Sequence, residues 1–361
     1  MKTILIYSEI SWNFLDQRHH HLARYAAANG YKVEFIQRVV SRVPSVKEIV
    51  FILQKRIIKR PSKNDLKEVP DGIKIRNSFF LPSNYLFSNI YNWIFWFLIE
   101  RHRQKNSIVY CFANNPEIIG GSYPFFKKYS KSFFDIIHNW WDFPWHSEKQ
   151  RSHFDNNIKL FDKIITDSPV ISKRLESKGI TSHLMLPGVT KKWLDISTPS
   201  KNINPVFFGN LRSNSDLVLV NKISSRYGLD IFGRIDENID HKIQNVVFKG
   251  LLKPDELIKK ISKYNLILLP YDRKNFSETI VPAKYFEALA TGALVVTGSN
   301  KDYLPGFSNF VFRFESFSKD DFDKLEEAFI DQIEKRKSQV NFAEKHLWKN
   351  RFSILFEHIG K

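Results

Sequence analysis

The stretch Leu266–Val296 reads LILLPYDRKNFSETIVPAKYFEALATGALVV, and its parts decide the fold. Leu266 to Leu269 form a short apolar, strand-like run that stops at Pro270, and a polar loop follows from Tyr271 to Ile280. Pro282 then opens a segment in which Ala283, Phe286, Leu289 and Ala290 recur at helical spacing. Thr291-Gly292 ends that helix before a second apolar strand, Ala293 to Thr297. Strand, loop, helix and strand in this order make the repeating unit of a parallel α/β sheet.

In such a sheet ligands bind beyond the carboxyl ends of the strands, where a helix N-terminus offers unpaired N–H groups and a partial positive charge. Here that end carries Lys284, with Glu287 three residues later on the same side. A lysine with free amides suits a diphosphate, and a carboxylate one turn deeper suits a pair of ribose hydroxyls. The same two side chains also read as an ordinary pair on a helix surface. The ten-residue loop exceeds the usual connection of ~2 to 6 residues, and it sets Tyr271, Asp272, Arg273, Ser277 and Glu278 where a ligand would lie.

The pattern P-x-K-x-x-E-x-L-A-x-G over Pro282–Gly292, followed by an apolar strand, resembles the nucleotide-sugar site of GT-B glycosyltransferases. Within them it is similar to the branch that holds glycosyltransferase family 4 and the teichuronic-acid and xanthan glucuronosyltransferase-like enzymes. The resemblance implies that Lys284 meets the donor diphosphate and Glu287 the ribose. Many family 4 members carry a second Glu eight residues before the helix Glu; here Thr279 stands there, with Glu278 beside it. Tyr271, Glu278 and Thr279 are therefore candidate donor contacts.

The chain has 361 residues, 43% apolar and 15% aromatic, enough for two ordinary domains with their own cores. No run of 18 apolar residues appears, and Met1-Lys2 leads straight into a strand, so the expectation is a cytoplasmic protein without span or signal. The single cysteine, Cys111, lies in an apolar run and reads as a buried structural residue. A formal charge of +17 points to an anionic partner. No nucleic-acid-binding signature is present, so an anionic membrane surface is the better candidate. Val46–Lys67, with seven Lys or Arg among Ile49 to Leu53, Ile57 and Ile58, fits a basic amphipathic helix lying on a membrane, or a helix that packs its apolar face on the domain.

Thr3–Tyr7, a helix from about Phe14 to Asn29, and Lys32–Ile36 form an opening βαβ unit without the G-x-G-x-x-G fingerprint, so a dinucleotide site is not expected. The words W-N-F-L-D-Q-R-H-H-H-L-A, from Trp12 to Ala23, also resemble that branch, which implies Gln17 and Arg18 near the mouth of the cleft. His19 to His21 point about 100° apart on a helix and cannot converge on one ion, so they read as partly buried or cleft-lining residues. In the aromatic stretch from Phe79 to Phe97, the half from Asn89 onward reads as a core helix, and the first half as core or as a rim for an acyl or polyprenyl chain. Strands follow at Ser107–Phe112, Lys131–Ile137, Lys163–Asp167 and His183–Leu186.

The loop His138 to Pro144 is the candidate for acid–base chemistry, because glycosyl transfer needs the acceptor hydroxyl deprotonated as the new bond forms. His138 and Asp142 can do this, or can simply orient the loop. In the second domain, strands near Val206–Phe208, Asp230–Phe232 and Val246–Lys249 each end in a glycine. Gly209 lets backbone approach a phosphate or sugar closely, and Arg212 and Arg234 are candidate ligands or exposed loop arginines. Helices are expected from about Lys319 to Arg336 and from Val340 to His358.

The expectation is an α/β protein of the GT-B type, two Rossmann-like domains facing each other across a cleft. Residues 1–188 would form the acceptor domain, 189–340 the nucleotide-sugar domain, and 341–361 a helix returning to the first. The function expected is transfer of a sugar from a nucleoside-diphosphate sugar, UDP-linked by preference, to a hydroxyl of a bacterial surface glycan or lipid-linked acceptor, as in polysaccharide biosynthesis. No Asp-x-Asp pair stands at a strand end, so activity without a metal is expected, and the family resemblance tilts to retention. The rivals are a UDP-sugar epimerase or hydrolase of the same architecture, and a basic nucleic-acid-binding protein.

Overall fold

The computed structural model describes residues 2–37, 67–79, 88–100, 102, 107–112, 131–137, 139, 141, 148–198, 200–212, 214–236, 238–239, 242–271, 279, 281–298 and 305–360. Two compact units divide the chain: Met1–Met185 with Ile354–Lys361, and Leu186–Ser353.

In the first unit the described strands are β1 (Thr3–Tyr7), β2 (Lys32–Gln37), β3 (Ile73–Asn77), β4 (Ser107–Cys111), β5 (Ser132–Ile136), β6 (Lys163–Thr166) and β7 (His183–Leu184). They form one parallel sheet in the order β3-β2-β1-β4-β5-β6-β7. β4 and β5 are buried along their whole length, as strands covered on both faces must be. The described helices are α1 (Arg18–Ala28), α2 (Ser88–Phe95), which a π-helical turn Trp96–Glu100 continues, α3 (Glu148–Ile158) and α4 (Pro169–Glu176). Cys111 is a free, buried thiol in β4.

The second unit holds β8 (Pro205–Leu211), α5 (Leu217–Tyr227), β9 (Leu229–Ile235), β10 (Val246–Gly250), α6 (Pro254–Ile261), β11 (Leu266–Leu269), α7 (Ala283–Thr291), β12 (Leu294–Thr297), β13 (Val311–Arg313) and α8 (Lys319–Glu344). Its sheet is parallel throughout, in the order β10-β9-β8-β11-β12-β13. The last helix, α9 (Trp348–Gly360), starts in this unit and ends in the other. The chain is thus an α/β protein of two Rossmann-like units. The sheet order reverses between β1 and β4 in one and between β8 and β11 in the other, the two points where such sheets bind ligands.

Several elements depart from the sequence reading. α1 begins at Arg18 rather than Phe14, because the Gln17 N–H donates to His20 Nδ1 at 3.1 Å and fixes the helix start there. β3 was not foreseen; IKIRN is short and charged, as an edge strand can be. α5, α6 and β13 were also unnamed. The expected break near Arg336 is absent, and α8 runs on to Glu344. Buried Gln339 explains this: its side-chain amide donates to the carbonyls of Leu289, at 3.0 Å, and Ala293, at 2.9 Å, and so holds that turn on α7. The segment from Asn89 is not a core helix, since Ile90, Tyr91, Trp93, Ile94, Phe97, Leu98 and Ile99 are all exposed. The basic stretch from Val46 lies outside the described residues apart from Lys67, which pairs with Asp16 at 2.6 Å. Among the described residues no helix is long and apolar enough to cross a membrane.

Candidate functional site

The site grows from the placement of α7. Tyr285, Phe286, Ala288, Leu289 and Ala290 are buried, a face wide enough to lock the helix on its sheet. The Tyr285 hydroxyl lies 2.6 Å from Thr297 Oγ1, which donates to the Leu269 carbonyl at 2.9 Å, tying α7 to β11 and β12. At the far end Gly292 adopts φ 78°, the left-handed conformation that closes a helix cheaply only with glycine. The last carbonyls are also satisfied: Asp195 N–H donates to Ala290 at 2.7 Å and Ser197 N–H to Thr291 at 3.0 Å. With both the face and the C-terminus fixed, the N-terminus of α7 stands at a set place over the sheet.

That place is the reversal between β8 and β11. Gly209, near the end of β8, has φ 133°, and a Cβ built on it would lie 2.6 Å from Lys284 Cε and 3.0 Å from Nζ. The ammonium of Lys284 therefore sits directly over the β8 backbone. Gly209 is opposite Gly233 of β9, and a Cβ on Gly233 would meet the Gly209 carbonyl at 1.7 Å. Two glycines side by side make a floor of bare backbone on which the Lys284 side chain lies. Glu287 is half-buried one turn further along α7. Burial pushes its carboxyl up, and the charge of Lys284 opposes that.

Of the remaining donor candidates, Arg234 borders this floor. Arg234 follows Gly233, faces Asn210 in register, and is exposed. Arg212 is exposed past the end of β8; its N–H donates to Ser215 Oγ at 3.1 Å, and Ser215 makes an antiparallel bridge to Tyr271. The Tyr271 ring lies 5.5 Å from that of Tyr285. Neither arginine, nor Lys284, is in an ion pair among the described residues. Thr279 is half-buried in the loop before α7, and Glu278 lies outside the described residues. Sequence reading missed Asp216, which caps α5 by accepting from Leu219 N–H at 2.9 Å. Its other oxygen lies 2.3 Å from where a Cβ of Gly298 would stand, so Gly298 leaves room for it at the end of β12. An Asp before an apolar helical run was the available signal.

In the first unit, His138 and Asp142 both lie outside the described residues. The reversal between β1 and β4 is marked instead by His19, buried, with Nδ1 2.7 Å from Ser8 Oγ and its ring stacked 3.9 Å from Phe112. Arg18 corrects the sequence reading. Expected near a cleft mouth, it is buried, with Nε 2.9 Å from Asp135 Oδ2 and Nη1 donating to the Met185 carbonyl at 2.8 Å. Tyr110 donates to the same Asp135 oxygen at 2.7 Å. Asp167, buried at the end of β6, is pushed up to about 7 by burial; Arg18 works against the shift and Asp135 with it. His20 and His21 are held near 4, mainly by burial. Among the described residues no cluster of three His, Cys, Asp or Glu has metal-holding geometry.

No model of a protein family matches the chain, and no curated protein matches it. Solved structures do match over its whole length. Sucrose-phosphate synthase from Thermosynechococcus elongatus superposes with a TM-score of 0.69 at 13% identity, covering 99% of each chain. A glycosyltransferase from Rickettsia africae gives 0.64 at 14% identity, over 98% of this chain and 97% of that one. Anabaena HepE, solved in complex with UDP, gives 0.61 at 11% identity over 100% of both. The fold is GT-B. At such identities the likeness carries the GT-B architecture alone. It places the α7 N-terminus and the Gly209–Gly233 floor in the second Rossmann-like unit of that GT-B architecture.

Proposed function

We propose that the chain is a glycosyltransferase that moves a sugar from a nucleoside-diphosphate sugar, UDP-linked by preference, to a hydroxyl of a surface glycan or lipid-linked acceptor. One observation carries the reading: the ammonium of Lys284, in no ion pair among the described residues, rests on a glycine floor at the reversal of the second sheet, beside a helix N-terminus. A diphosphate is the ligand whose charge and size suit that arrangement. The GT-B neighbours support it, since HepE was solved with UDP and also with UDP and glucose.

In the reaction the bond from the anomeric carbon to the diphosphate oxygen breaks and a bond to the acceptor oxygen forms. Negative charge grows on the departing diphosphate, so Lys284 and the α7 end, with Arg212 or Arg234 beside them, hold the transition state more tightly than the ground state. Glu287 accepts from the ribose hydroxyls and sets the nucleotide in register. The acceptor proton passes to a base, with His138 and Asp142 the candidates. Retention at the anomeric carbon is the expected outcome. These cations do the work a divalent metal does elsewhere, so transfer proceeds without one; activity abolished by EDTA and restored by Mn²⁺ would show that reading to be wrong.

The deciding experiment is thermal stabilisation of the wild type and Lys284→Ala by UDP, GDP, ADP, CMP and a panel of UDP-sugars. A nucleotide at a hundred times its dissociation constant adds ~2.7 kcal/mol. One nucleotide stabilising the wild type and not the variant supports the donor site. No shift for either protein removes it.

A further inference from the structure

The α2 segment has its polarity reversed. Asn92 is 1% exposed, while Ile90 is 60% exposed and Leu98 63%. At 100° per residue along the α-helical part, Ile90, Tyr91, Trp93 and Ile94 spread over roughly 160° of the circumference with Asn92 on the reverse, and Phe97, Leu98 and Ile99 of the π-helical turn are exposed as well. Tyr91 stacks on Phe95 with centroids 6.2 Å apart, and Trp93 on Phe97 at 5.7 Å, so the rings form ridges along the helix. A helix facing water puts its apolar residues inward. This one puts them out.

The chemistry around the segment says what covers it. No Asp, Glu, Lys or Arg occurs from Ser78 to Ile99, and after the single acidic Glu100 come Arg101, Arg103 and Lys105, in a chain of net charge +17. A second copy would bring the same sign of charge and is disfavoured on that ground. An anionic bilayer is complementary in both respects, since Trp and Tyr favour the headgroup level and basic residues its phosphates. The thirteen residues of Ser88–Glu100 reach only ~20 Å as a helix, short of the ~30 Å hydrocarbon layer, so they lie in the interface rather than cross it. We propose that the outward face of Ser88–Glu100 inserts into the headgroup layer of an anionic phospholipid membrane and holds the first unit there. This is independent of the donor site, and Lys284→Ala should bind membranes as the wild type does.

The test is flotation of the full chain with phosphatidylcholine vesicles and with vesicles containing 30% phosphatidylglycerol. The wild type should float with the anionic vesicles. A double variant, Ile90→Asp with Leu98→Asp, should keep its melting temperature and lose binding about tenfold or more. A second readout needs no charged substitution: brominated lipid should quench wild-type tryptophan emission, and Trp93→Phe should lose much of that quenching. The proposal falls if the wild type stays in the aqueous fraction, if the double variant floats equally well, or if Trp93→Phe is quenched as fully. It also falls if the wild type is a lipid-free dimer that the double variant dissociates, which would make this face a self-interface.

Discussion

Lys284 rests on the backbone of Gly209: the position of a Cβ on Gly209 lies 2.6 Å from Lys284 Cε. The two residues belong to elements on either side of the sheet reversal, so the contact spans the place where a ligand would enter. Gly209→Ala is therefore expected to do two things. Its φ of 133° costs about 1–3 kcal/mol for a side-chain-bearing residue, lowering the melting temperature by a few degrees. The new methyl also displaces the ammonium, so stabilisation by a nucleotide should shrink or vanish. A Gly209→Ala protein that melts lower yet keeps its full nucleotide shift would mean that Lys284 is not where the phosphates bind.

Substitutions of the two α7 side chains separate charge from hydrogen bonding. Lys284→Ala removes a charge-assisted contact of about 1.5–3 kcal/mol, so nucleotide affinity should fall roughly 10- to 100-fold with little change in stability. Glu287→Gln should weaken the nucleoside and diphosphate forms equally, because the ribose is common to both. Calorimetric titration with uridine, UMP and UDP reads this directly. If Lys284→Ala weakens uridine as much as UDP, the lysine is not a phosphate ligand.

The second unit was the more legible half. Pro282, the apolar spacing after it and Gly292 announced α7 within a residue, because start, face and stop were all encoded locally. Cys111 and the all-apolar β11 were legible for the same reason. What stayed hidden depends on distant partners. Gln339 carries α8 past its expected end only through carbonyls some fifty residues earlier. Arg18 is buried only because Asp135, on another strand, is there to receive it. The α2 segment was misread because apolar content says that a helix avoids water, not what it faces instead.

Tyr285 supplies a control on the donor reading. Its hydroxyl holds α7 to Thr297, so Tyr285→Phe should cost about 0.5–1.5 kcal/mol of stability while the ring keeps filling the core. The Lys284 ammonium should stay over Gly209. Nucleotide stabilisation is expected to be nearly the same size as in the wild type, measured from a lower starting temperature. A large loss of nucleotide affinity instead would show that the Tyr285–Thr297 link sets the height of Lys284, making Tyr285 a positioning residue.

Asp167 gives a pH dependence whose sign can be worked out. Its ordinary value of 3.8 rises to about 7 in the folded chain, so the folded state holds the proton longer. The stability this confers is fully present below pH ~4 and is lost as pH rises through about 7, because Arg18 then faces two buried carboxylates, Asp135 and Asp167. Asp167→Asn cannot ionise. The variant should gain on the wild type as pH rises from about 4 to about 7 and hold that gain to pH 8.5, by an amount on the order of 1–4 kcal/mol, or several degrees. His20, His21 and His346, each held near 4 chiefly by burial, act in the opposite direction. They cost stability as pH falls below ~6.5, where the unfolded histidines take up protons. That cost is common to both proteins, so the difference between their melting curves isolates Asp167. Parallel curves from pH 5 to 8.5 would show that Asp167 is already ionised in the folded chain, with Arg18 neutralising it as fully as Asp135.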